Sequence, residues 1–78
     1  MLQQKDVALQ AMEAVLTAAP EGARIFNFSI DYLCQSTDTA ILDVKVAVRH
    51  QGRKTLVADI DVLDGSRPVA KALCTMLL

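Results

Sequence analysis

The chain has 78 residues, a net charge of −1, 53% hydrophobic and 22% charged residues. That balance describes one small folded domain rather than a disordered tail. The near-neutral charge, with one Tyr and two Phe, excludes the basic, aromatic-lined surface of a nucleic-acid binder. A domain this small buries only about 60 to 65% of its unfolded surface, so oligomerisation is the expected source of added stability. Cys34 and Cys74 are too few and too isolated for a disulfide framework or a metal site, and read as buried small hydrophobes. No stretch resembles a signal peptide. The apolar run from Val7 to Ala19 contains Gln10 and Glu13 and is too short to cross a bilayer. The expected location is the cytoplasm.

Residues 5–19 read as one helix. Ala8, Ala11, Ala14, Ala18 and Ala19 favour it, and Leu9, Met12, Val15 and Leu16 share a face. Pro20 and Gly22 stop it. Residues 25–33 alternate as a strand, with Phe26, Phe28, Ile30 and Tyr32 on one side. Residues 34–39 are polar and read as a loop. Three more strands follow over residues 40–50, 54–63 and 69–77, broken by His50-Gln51-Gly52-Arg53 and Asp64-Gly65-Ser66-Arg67-Pro68.

Side-chain matching predicts the pairing. Setting Val48 opposite Leu56 places Val46 against Ala58, Val44 against Ile60 and Leu42 against Val62. Lys45 then meets Asp59, Asp43 meets Asp61, and a three-residue loop centred on Gly52 closes the hairpin. Pairing Val62 with Ala70 sets Lys71 opposite Asp61. The opposite face collects Ile41, Ala47, Val57, Leu63, Val69, Leu73 and Leu77, which is too apolar to stay fully wet. The fold class is α+β: one helix packed on a four-stranded antiparallel sheet.

The segment from Val44 to Met76 resembles the last three strands of the hotdog-fold acyl-CoA thioesterases of the phenylacetyl-CoA and aryl-CoA type. Arg49, His50, Gly52 and Arg53 match a basic strand end turning through Gly-Arg, and Gly65, Val69 and Ala70 match a Gly-x-x-Val-Ala opening of the final strand. The resemblance implies a truncated hotdog, since a complete one has a further strand before the helix, paired with the 40–50 strand. It also implies a dimer or tetramer, with dimers joined edge to edge through the 25–33 strand.

In that family a His-Gly-Gly segment shapes an oxyanion site at the helix N-terminus, and a helix carboxylate serves as base or nucleophile. Asp6, in a Lys-Asp-Val-Ala-Leu context, matches the carboxylate; the His-Gly-Gly segment has no counterpart. Read from the residues alone, Asp6 is an N-cap or first-turn charge that suits the helix dipole. Arg49, His50, Arg53 and Lys54 form a basic hairpin tip. By resemblance they contact the phosphates of coenzyme A; on their own they read as a solvated turn. Glu13 and Glu21 read as surface charges. No permanent cofactor is expected, and a coenzyme A thioester is the expected substrate. Two functions stay open: a thioesterase acting at a subunit interface on a small acyl- or aryl-CoA, or a non-catalytic hotdog module for assembly or small-molecule binding.

Overall fold

The computed structural model describes residues 4–34 and 42–78. It contains one helix, α1 (Gln4–Ala18), followed by four strands: β1 (Arg24–Tyr32), β2 (Asp43–Gln51), β3 (Thr55–Asp64) and β4 (Arg67–Leu77). All strand pairs are antiparallel, and the spatial order is β1-β4-β3-β2. The element order agrees with the sequence reading to within a few residues at each end. Most of the expected 34–39 loop, the start of the 40–50 strand and Ile41 lie outside the described residues.

Helix α1 presses a narrow stripe, Val7, Ala11 and Val15, onto the sheet. These three positions recur every four residues, so they stand above one another on the helix. The small side chain of Ala11 permits a close approach. Leu9 and Leu16, expected on the packed face, are 54% and 46% exposed instead. They stand about 140° to 160° around the helix from the middle of the buried stripe. The stop is as expected: Ala19 N donates to Val15 O at 3.0 Å, and Ala23 N donates to Pro20 O at 3.1 Å. Gly22 takes φ 86° in that turn, a conformation costly for any side chain with a Cβ.

The inner face of the sheet is built in cross-strand rows. Phe28, Cys74, Ala58 and Val48 make one, and Ile30, Ala72, Ile60 and Val46 the next. Tyr32, Ala70, Val62 and Val44 make a third. β4 contributes the small, buried Ala70, Ala72 and Cys74 to these rows.

Three details of strand geometry differ from the sequence reading, and each is a bulge. In β2–β3 the expected faces are right but the register is displaced by two. Val46 meets Ile60, Val48 meets Ala58, and Lys45 meets Asp61 rather than Asp59. The cause is the turn. Gly52 N donates to Thr55 O at 2.8 Å, so the hairpin closes with Arg53 and Lys54 alone at its tip. A two-residue loop forces pairs whose residue numbers sum to an odd value, as in Gln51–Leu56. Facing the valines to β3's apolar residues demands an even sum. The irregularity between Val48 and His50 inserts Arg49 and reconciles the two requirements. It also moves Asp43 opposite Leu63, removing the unfavourable pairing with Asp61.

A second bulge, between Ile25 and Asn27, turns Ile25 toward the core and leaves Phe26 outside at 70% exposure. A third, where Val62–Ala70 gives way to Leu63–Pro68, makes Val69 the extra residue. Val69 is consequently buried rather than on the outer face.

The expected pairing of Asp61 with Lys71 is present, with Nζ 4.0 Å from Oδ1. Lys71 also lies opposite Asp31, so Asp31, Lys71, Asp61 and Lys45 run across the outer face in alternating sign.

Candidate functional site

Asp6 occupies the first turn of α1, half-buried, where the free N–H groups and the helix dipole favour a negative charge. At 100° per residue, Gln10, Glu13 and Thr17 fall on the same side of the helix as Asp6. This polar stripe flanks the apolar one and faces β2. Gln10, Glu13, Ala14, Thr17 and Ala18 form one wall of a groove of about 510 Å³, and Val44 and Val46 form the other. Thr17 Oγ1 donates to Glu13 O at 2.8 Å, which orients its hydroxyl along the helix. Glu13 is exposed, as the sequence leads one to expect of a surface charge. The signal that marks the stripe, polar residues at i, i+4, i+7 and i+11, was present in the sequence.

The basic residues sit on a different element. Arg49, His50, Arg53 and Lys54 are all exposed at the β2–β3 hairpin. Arg49 is engaged: its Nε lies 3.1 Å from Asp59 Oδ2, an ion pair across the bulge. Arg53 and Lys54 therefore carry the hairpin's cationic character toward solvent, with His50 exposed beside them. His50 folds back beside Gly52, its Nε2 3.7 Å from where a Cβ at that position would stand. The structure thus divides the sequence-predicted site between α1 and the hairpin. The α1–β2 groove is lined by neither Asp6 nor the basic residues.

Of the two thiols, Cys74 is fully buried in the row with Phe28 and Ala58, and burial pushes its pKa up. Cys34 is half-buried, with Arg67 Nη2 3.9 Å from its sulfur. Among the described residues no cluster of His, Cys, Asp or Glu could hold a metal ion. No described helix is long and apolar enough to cross a membrane.

No protein-family model matches the sequence, and no curated protein matches it by sequence. Solved structures match the fold. A Bacillus halodurans protein crystallised with CoA superposes over 99% of this chain with a TM-score of 0.81 at 21% identity. The chain has the hotdog fold. A hypothetical thioesterase from Streptococcus pneumoniae with coenzyme A matches 91% of the chain at 28% identity, TM-score 0.78. A variant of the streptococcal protein with a threonine replaced by alanine matches 70% of the chain at 36% identity, TM-score 0.62. This hotdog chain spans 58%, 60% and 46% of those three structures respectively. Its resemblance to hotdog-fold thioesterases extends over nearly its whole length.

Proposed function

We propose that this hotdog chain hydrolyses a small acyl- or aryl-CoA thioester at an interface between two copies, with Asp6 as the base that activates water. The observation that carries the reading is the half-buried carboxylate on the first turn of α1, in a fold whose solved neighbours include two carrying coenzyme A. A carboxylate there can accept a proton from water, while the free N–H groups of the helix start favour the developing oxyanion. His50, Arg53 and Lys54, with Arg49 behind them held by Asp59, contact the phosphates of the cofactor. The exposed Phe26 on the free edge of β1, together with Leu9 and Leu16 on α1, supplies apolar surface for the second subunit.

Asp6→Asn tests the reading. Turnover of a panel of short-chain and aryl-CoA thioesters should fall about 100-fold or more, the range for loss of a general base. Coenzyme A affinity and oligomeric state should not change. Asn caps a helix about as well as Asp, so equal turnover in the variant would leave Asp6 only a capping role. The non-catalytic module would then be the better reading.

A further inference from the structure

We propose that the outer face of the sheet stacks on the same face of a second copy of this chain, about a two-fold axis that runs along the strands between β3 and β4. The contact is separate from the β1 edge and does not depend on thioester hydrolysis. α1 covers only the inner face. On the outer one, among the described residues, no element covers Val57, Leu63, Leu73 and Leu77, and Leu73 is 39% exposed. All four strands have at least nine residues. At ~4.8 Å per strand and ~3.3 Å per residue they present a face of roughly 600 Å². Two such faces bury about 1,200 Å², the lower bound of a specific, stable interface.

Charge selects both the partner and the axis. Asp31, Lys71, Asp61 and Lys45 cross the outer face on neighbouring strands, negative and positive in turn. Such a row is complementary to its own reverse. A two-fold axis between β3 and β4 lays the row on its reverse: Asp31 faces Lys45 of the other copy and Lys71 faces its Asp61, each twice by symmetry. Moving the axis onto β4 sets Lys71 on itself and Asp31 over Asp61. Moving it onto β3 sets Asp61 on itself and Lys45 over Lys71. An axis along the row sets every charge on its own copy. Axes between other neighbouring strands keep unlike pairs but overlap only two strands of each face. The axis between β3 and β4 alone gives four unlike pairs, with the strands of the two sheets nearly aligned, as in sandwiches. It also brings Leu73 over Asp59, whose charge Arg49 already meets at 3.1 Å. There Leu73 stands beside a hollow of about 340 Å³ next to Ala47.

Charge exchange at Asp31 and Lys45 tests the stacking. The two residues lie on opposite outer strands of one sheet, so they do not meet within a chain. Asp31→Lys or Lys45→Asp alone sets like charges face to face at two symmetric positions. Each should weaken association of the full chain, measured by sedimentation at low salt, at least ~tenfold. Combining Asp31→Lys with Lys45→Asp restores unlike pairs between copies, although each substituted residue then neighbours a like charge within its own sheet. The double variant should therefore associate within about threefold of the native chain. A role confined to one chain predicts the reverse, that the two losses accumulate. The native chain gives a readout that needs no substitution: acetylation of Lys45 and Lys71 should slow as protein concentration rises. Single variants that associate as the native chain does, or a double variant no stronger than the single ones, would overturn the proposal. So would acetylation rates at both lysines that are independent of protein concentration.

Discussion

Deleting Arg49 should barely disturb this protein, although the residue lies inside a strand and makes an ion pair. The bulge holds Arg49 outside the ladder, so its removal lets His50–Val57 and Val48–Ala58 follow one another without a gap. Every valine keeps its partner. The loss is then confined to the Arg49–Asp59 pair, whose side chains are 59% and 46% exposed. Such a pair is worth about 0.2 to 1 kcal/mol. If the deletion instead slipped the strand by one residue, buried Leu42 and half-buried Val44 and Val46 would turn to solvent. Full burial of such side chains contributes about 1.5 to 3 kcal/mol each. Counting the two valines at half, the slip would cost roughly 3 to 6 kcal/mol. A chain of this length has only about 4 to 12 kcal/mol in total. The two outcomes are therefore well separated. Urea denaturation of the deletion variant, Arg49→Ala and the native chain at one protein concentration decides between them. The deletion and Arg49→Ala should agree within about 0.5 kcal/mol. A deletion more than ~2 kcal/mol worse than Arg49→Ala would refute the account of the bulge as a register adaptor.

Ile60 lies at the centre of its row between Val46 and Ala72, and Ile60→Ala should cost about 2 to 5 kcal/mol in the same denaturation assay. Gly65 turns from β3 to β4 at φ 60° in open space, so Gly65→Ala should lose about 1 to 2 kcal/mol from backbone strain alone. Gly52 has no such φ and its added Cβ would meet only ordinary contacts, so Gly52→Ala should be nearly silent; equal costs at both glycines would contradict the turn assignment. Thiol labelling in the native state should modify Cys34 and spare Cys74 until unfolding. The folded chain holds the Cys74 proton more tightly than the unfolded chain does. The stability tied to this group is thus complete at neutral pH, and is lost as pH rises through the raised value. A rise in stability across the alkaline range would reverse that sign.

The period-2 alternation of β3 and β4 reported their strands, faces and pairing, because both are central strands whose inner residues must all be apolar. Val62–Ala70 and Asp61–Lys71 were legible for that reason. The helix and its end were legible too, since Ala-rich propensity and Pro20 act locally. The candidate site was legible only in part: Asp6 and the basic hairpin came from resemblance and residue type, but the Gln10–Glu13–Thr17 wall needed β2 brought beneath it.

What the sequence determined by itself was what nearest neighbours set: element type, element order and which face of each strand is mainly apolar. Tertiary structure decided the rest. Register along β2 depended on a conflict between a two-residue turn and an apolar face, resolved by placing Arg49 in a bulge. The buried side of α1 depended on the sheet packed beneath it, against which Val7, Ala11 and Val15 are buried while the larger Leu9 and Leu16 stay exposed. Phe26 and Val69 exchanged their expected environments for the same kind of reason. A bulge shifts the side of every residue beyond it, so alternation read along one strand misplaces residues past the bulge.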